Sequence, residues 1–253
     1  MPRILMYHHV APLQGREGLT PYIVEPDTFR WQLDRIVASN LPVKTMAEFI
    51  DESAVGTGFD NCIIITFDDC SVELLEFAVP LLAERSLRAS FYAVAGMLGG
   101  QNDWDRKRCP SKIGLMTASD LKYLIKQGHE VGAHGLRHVA LDTLVEGDVV
   151  REVSDSKRIL ESCLDVTITT FAYPYGAIPA NYARIMATAG YKSACSIFSE
   201  SSSVLEDPYS LRRILIHNND VGLRFSLKLS RAYSTMRRFR DYRSMRQHRK
   251  RSK

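Results

Sequence analysis

The chain alternates short apolar runs with stretches of helical periodicity. Residues 4–7 and the β-branched run 62–67 read as strands buried on both faces, as in a parallel sheet. Residues 28–38 place Phe29, Leu33, Ile36 and Val37 at helical spacing behind a cap at Asp27 or Thr28. A short helix over 45–51 turns Met46, Phe49 and Ile50 inward. Further helices are predicted over 71–85, 117–127, 145–163 and 179–189. Thr117 and Asp120 stand in capping-box spacing, and Gly128 ends that helix. Strands over 89–94, 129–133, 167–173, 192–196 and 211–216 complete the alternation. Residues 96–116 read as a long loop with Gly96, Gly99, Gly100 and Pro110, of a length that often serves function.

Strands alternating with helices predict a parallel sheet with right-handed crossovers. About seven such units favour a (β/α) barrel over an open sheet. An open nucleotide-binding sheet would carry a glycine-rich loop after its first strand, where this chain has Tyr7-His8-His9. The expected fold is α/β, one barrel domain over 1–222 followed by a basic amphipathic helix and tail over 223–253. In that tail Phe225, Leu229, Ala232, Met236 and Phe239 share a helical face.

Composition adds limits. Of 253 residues, 45% are hydrophobic and 25% charged, ordinary for a soluble globular chain. The longest apolar runs fall far short of the ~20 residues of a spanning helix. The start has one basic residue and two histidines where a secretory core would continue, so a cytoplasmic protein is expected. Five cysteines, an odd number without a CxxC pair, read as free thiols rather than a redox or zinc-thiolate site. Between 231 and 253 stand ten Lys/Arg against one acid, Asp241, so that segment carries +9 and the body −5 of the net +4. A basic tail on an acidic body suggests an anionic surface, a membrane's inner face before nucleic acid; the plain alternative is a solvated tail.

The residues able to do chemistry cluster where apolar runs stop. His8 follows the first strand, Asp68-Asp69 the second, His134 the fourth, Pro174-Tyr175-Gly176 the fifth and His217 the last. In a parallel barrel all these ends open on one rim, which holds the active site. His134 and His138 stand four apart, a spacing that lets two imidazoles converge on one ion if the segment turns helically. With one carboxylate they form a facial site with open positions, which suits catalysis. The other carboxylate is then available to accept a proton from water.

Thr66-Phe67-Asp68-Asp69, His134-Gly135-Leu136-Arg137-His138 and Phe171-Ala172-Tyr173-Pro174-Tyr175-Gly176 resemble, in order and spacing, three motifs of the polysaccharide deacetylase family (NodB-like, carbohydrate esterase family 4). The resemblance spreads over residues 4–217. It implies a distorted (β/α) barrel and removal of N-acetyl groups from an amino sugar in a glycan or a lipid- or nucleotide-linked precursor. It also implies a divalent metal, usually zinc, with cobalt or nickel as alternatives. Asp68 would be the base; Asp69, His134 and His138 the metal ligands; the backbone N–H of Tyr175 an oxyanion donor. In most of the family a histidine after a late strand is the acid, which would be His217. In the subgroup acting on poly-N-acetylglucosamine an early Tyr-His supplies it, and Tyr7-His8 and the Phe-Ala-Tyr-Pro-Tyr-Gly motif resemble that subgroup, so His8 is preferred. His9 is expected behind the site or at the surface.

Two positions depart from the family pattern. Cys70 replaces a glycine, which is expected to alter the local turn. Ala172 replaces an arginine that often orients the catalytic Asp, with Arg137 or Arg212 as candidate substitutes. Trp104, in the long loop, could stack on a sugar or pin the loop to the core. The competing functions are a binding module with a vestigial site, which Cys70 and Ala172 favour, and a sugar isomerase, which would need more carboxylate ligands.

Overall fold

The computed structural model describes residues 2–14, 16–56, 61–105, 112–197 and 206–233. Runs that are apolar on both faces become the barrel. Strand β1 (Arg3–Tyr7) pairs in parallel with β2 (Ile63–Asp69), from Arg3 opposite Ile63 to Tyr7 opposite Phe67. From β2 the sheet runs through β3 (Ser90–Ala93), β4 (Glu130–Ala133), β5 (Thr170–Ala172) and β6 (Ser193–Ser196), every pair parallel.

One segment closes the ring by changing partners. β7 (Leu211–Arg212) pairs with β6, and β8 (Ile214–Leu215) pairs with β1. Arg213 lies at the switch, its N–H donating to Ser196 O at 2.8 Å. The α/β barrel expected from the alternation is therefore present, with the strand predicted over 211–216 divided in two. Val43–Lys44 adds a short parallel strand against the start of β2.

Period-two alternation sorts the core. Leu5, Ile63, Ile65, Phe67 and Phe91 pack with helix residues such as Phe29, Leu33, Leu74 and Leu160. Ile4, Ile64, Tyr92, Ala172, Cys195 and Leu211 form a separate cluster with Met46, Phe49 and Ile50 of the helix Met46–Ala54. Thr66 and Asp68 share the β2 face of Ile64 and so belong to that second layer.

Helix limits differ from the pattern for stated reasons. Residues 71–85 give two helices, Glu73–Phe77 and Val79–Ala83, because Pro80 has no N–H for a continuous helix. The helix Pro26–Ala38 starts two residues early, with Glu25 as its cap instead of Asp27 or Thr28, since Pro26 suits the first turn. Tyr182–Thr188 starts late, after Asn181 at φ 57°. The capping box at Thr117 and Asp120 forms as predicted, and a second joins Thr45 and Glu48. The long loop is pinned by bridges between Ser71 and Leu115 and between Gln101 and Gly114; Pro110 lies outside the described residues.

At the C-terminal side, Phe225 on the helix Gly222–Lys228 is buried against Trp31, ring centroids 6.0 Å apart. Met236, Phe239 and most of the basic tail lie outside the described residues. Among the described residues no helix is long and apolar enough to cross a membrane. Cys62, Cys70, Cys163 and Cys195 are free thiols.

Candidate metal centre and active site

Asp68 and Asp69 end β2 at the rim. Asp69 and Cys70 both take left-handed backbone, φ 69° and 55°, and Cys70 N–H donates to Asp68 O at 2.9 Å. This tight turn aims the two adjacent carboxylates at different partners. Cys70 adopts a φ that glycine would take at lower cost, so the residue carries local strain. Its thiol is buried, and burial with the two aspartates pushes its pKa well up, so it is an inert thiol.

His134 and His138 converge without a helix. Gly135 at φ 75° and His138 at φ 55° fold residues 134–138 into a loop, which corrects the helical turn assumed from their spacing. The loop is held from beneath by Glu152, fully buried on the helix Glu146–Leu164. One Glu152 oxygen accepts the N–H groups of Leu136 and Arg137 at 2.9 and 3.0 Å, and the other accepts Arg137 Nε at 2.6 Å. From the side, Ala95 and Gly96 donate to the carbonyls of Gly135 and Leu136. A Cβ on Gly96 would stand 2.5 Å from Leu136 O, so this approach requires glycine.

The donor set fits a cation. Ligand atoms of Asp69, His134 and His138 all lie within 4.8 Å of one another, and all three residues are buried. His134 Nδ1 faces the carbonyl of Ala172 at 2.8 Å and must donate to it, which leaves Nε2 as a lone pair. Burial lowers His134 to about 4, so the ring is neutral at pH 7, as a ligand must be. Its Nε2 lies 3.5 Å from Asp69 Oδ1, and His138 Nε2 lies 3.2 Å from the same oxygen. Asp69 Oδ1 is buried, and among the described residues these two ring nitrogens face it. Spacings of 3.5 and 3.2 Å between these ligand atoms suit a small divalent cation.

Asp68 is held separately. Arg213 Nη1 and Nη2 grip its two oxygens at 2.6 and 2.7 Å, both groups being buried. Burial alone would raise the Asp68 carboxyl; the guanidinium outweighs it and holds the group below the ordinary carboxylate range. Burial would likewise lower Arg213, and Asp68 outweighs that, so its pKa is raised. The cation that stands in for the arginine missing at Ala172 is therefore Arg213. Arg137 is spent on Glu152, and Arg212 is the residue before the switch.

The remaining rim residues line one cleft of about 400 Å³, a usual size for a small-molecule site. It includes His8, His9, Trp104, Tyr175 and His217 as well as both aspartates and both loop histidines. His8 packs edge-on to Tyr22, centroids 5.0 Å apart, and bears electrostatically on both Asp68 and Asp69. His217 donates from Nδ1 to Pro21 O at 2.9 Å. His9 is buried, at 1% exposure, and burial lowers it to about 4; it lines the cleft, so it belongs behind the site and not at the surface. Tyr175 sits at φ 58° in the turn Pro174–Gly176. Trp104 stacks on His138, centroids 4.2 Å and planes 24° apart.

Sequence reasoning missed Arg213 and Glu152. Glu152 had a signal: it falls on the inward face of its helix with Val149, Val153 and Ser156, where an acid needs a buried partner. Arg213 had none beyond its place in an apolar strand.

Fold and site together define a parallel α/β barrel with a three-donor cation site beside a clamped carboxylate. The family model for polysaccharide deacetylases matches residues 56–194, more than half of the chain, and the chain belongs to that family. A poly-beta-1,6-N-acetyl-D-glucosamine N-deacetylase of Staphylococcus aureus is 22% identical over 207 residues, covering 78% of this chain and 69% of the relative. The structure of Streptococcus pyogenes deacetylase PplD in complex with acetate matches at TM-score 0.77 and 22% identity, covering 90% of this chain and 97% of the other. IcaB from Ammonifex degensii matches at TM-score 0.74 and 20% identity, with the same coverages of 90% and 97%. At these identities the two structures share the fold.

Proposed function

We propose that this protein is a metal-dependent hydrolase that removes N-acetyl groups from an amino sugar of a glycan or glycan precursor. One observation carries the reading: two adjacent carboxylates are divided, Asp69 joining His134 and His138 around a cation-sized space while Asp68 stands beside it, held by Arg213. A divalent ion held there, zinc before cobalt or nickel, supplies Lewis acidity toward the amide oxygen and eases ionisation of water. Asp68 accepts the proton of the attacking water, and Arg213 keeps that carboxylate ionised and aimed. The backbone N–H of Tyr175 donates to the oxygen that gains charge as the amide carbon becomes tetrahedral. His8 delivers a proton to the departing amine; its electrostatic influence on both carboxylates favours it over His217.

The name of the staphylococcal relative makes poly-β-1,6-N-acetylglucosamine the first substrate to test, before lipid- or nucleotide-linked precursors. The basic segment 231–253 supports a peripheral position at the inner, anionic face of a membrane. Cosedimentation with anionic vesicles should be lost on deleting 237–253; equal binding with and without the tail would sink this part.

Purified protein with added zinc or cobalt should release acetate from N-acetylglucosamine oligosaccharides, and a chelator should stop it. Asp68→Asn should abolish release while metal stays bound, and His8→Ala should lower kcat more than His217→Ala. Metal-loaded protein that releases no acetate from polymer, oligosaccharide or precursor would overturn the proposal.

A further inference from the structure

The two histidines of the cation site are held by different means. His134 is fixed by its hydrogen bond to Ala172 O at 2.8 Å. His138 Nδ1 is buried and has no hydrogen-bond partner among the described residues. The ring's polar contact is at Nε2, the metal-facing atom, 3.2 Å from Asp69 Oδ1, so no hydrogen bond anchors it from behind, and its backbone is in the left-handed region at φ 55°. What covers the ring away from the cation site is aromatic. Trp104 lies nearly parallel to it at 4.2 Å, and Tyr175 meets it edge-on at 4.6 Å and 64°.

The loop presenting Trp104 is built for that task. Asn102, 4% exposed, receives Ile113 N–H on Oδ1 at 2.9 Å and donates from Nδ2 to Asp105 at 3.2 Å, tying the two limbs around Trp104. The same loop is bonded to the turn that follows Asp69: Met116 N–H donates to Cys70 O and Val72 N–H to Gly114 O, each at 2.9 Å. The described ends of this loop, 101–105 and 112–116, are thus bonded to each other and to the turn beside the carboxylate donor, and Trp104 on the first lays its indole on the imidazole donor.

We propose that Trp104 is a positioning residue for the metal site, fixing the His138 ring by stacking where a hydrogen bond would ordinarily do so. The inference rests on the reading of Asp69, His134 and His138 as ligands. It also assigns the stacked face of Trp104 to His138 and not to sugar. Partners that orient metal-bound histidines typically account for ~10–100-fold in metal affinity, and a stack is less directional than a hydrogen bond. The lower end, about tenfold or about 1.4 kcal/mol, is expected.

The test is a calorimetric titration of zinc, with cobalt in parallel, into chelator-treated full-length protein. Trp104→Ala and Trp104→Leu should each weaken binding about tenfold, while Trp104→Phe, which keeps a stacking ring, should stay within about threefold. The visible cobalt bands, which report ligand geometry, should shift in the Leu variant and not in the Phe variant. Melting of the metal-free proteins controls for folding, and if the Ala variant does not fold, the Leu–Phe comparison decides. Unchanged zinc affinity in the Leu variant would overturn the proposal, as would a Phe variant as weak as Leu. A raised KM for sugar with unaltered metal affinity would also overturn it, in favour of a sugar-stacking role. Absence of zinc binding in both wild type and Asp69→Ala would instead overturn the ligand assignment itself.

Discussion

Arg213→Met keeps a long unbranched side chain and deletes the charge that grips Asp68. The carboxylate then loses bonds of 2.6 and 2.7 Å in a site where both groups are buried. At ~4 Å between charge centres and an effective dielectric of ~20, the lost attraction is about 4 kcal/mol. Breaking one side of a buried pair typically costs ~3–5 kcal/mol, because a charge is left without compensation. For a chain of this size each kcal/mol lowers the melting midpoint by ~2–4 °C, so a fall of roughly 8–16 °C is expected at pH 7.

The pH dependence has a defined sign. In wild type the Asp68 carboxyl is held below its ordinary value, so the pair stabilises above pH ~3.9 and the contribution drains as pH falls through the lowered value. In Arg213→Met, burial is no longer outweighed and the carboxyl rises. The variant's deficit should therefore shrink toward acid pH, where a neutral acid is cheaper to bury. The acid limb of its residual activity should move to higher pH. Melting scans across pH and a pH–rate profile read both effects. Asp68→Asn with Arg213→Leu should recover part of the stability that Arg213→Met loses. An Arg213→Met protein with wild-type melting and an unmoved acid limb would refute the clamp.

Glu152→Ala should cost about 2–4 kcal/mol, since it strands the N–H groups of Leu136 and Arg137; denaturant melts would measure this, and zinc titration should show weaker binding, with Glu152→Gln partly restoring both. Cys70→Gly should be neutral to within ~1 kcal/mol and keep full activity, because relief at φ 55° offsets the lost side chain. Cys70→Val should destabilise by ~2 kcal/mol or more, as a β-branched side chain tolerates that backbone poorly; equal melting of the Gly and Val proteins would refute the strain.

The strands and their polar ends were legible because a parallel barrel repeats one pattern: an apolar run, then chemistry at the rim. That pattern brought Asp68, Asp69, His134, Tyr175, His8 and His217 to one cleft, and the spacing from His134 added His138. What was not legible depends on backbone hand and on long-range partners. The spacing of His134 and His138 suggested a helix, whereas a left-handed loop over Glu152 makes them meet. Trp104 offered two readings, and only the stack on His138 separates them. Arg213 could not be chosen over Arg212, its neighbour in the same predicted strand, because alternation puts one of the two inside and only the packing of Leu211 with Tyr92 and Ile64 shows which face that is.

That change of partner links closure to chemistry. β6 pairs to Arg212, and β1 takes over at Ile214, so residue 213 belongs to neither ladder. It keeps the face of Leu211, two residues before it, and its guanidinium lies 5.6 Å from the Tyr92 ring and reaches Thr66 and Asp68 on β2. Tyr92 shares its buried cluster with Ala172, the position where the family often places its arginine. A small residue on β5 and a large cation at the switch thus serve complementary ends in one layer. The carboxylate proposed as the base is consequently held by the last element to close the barrel. Opening the β7–β8 segment would release Asp68 before β2 itself is disturbed, so loss of activity should precede loss of secondary structure on gradual denaturation.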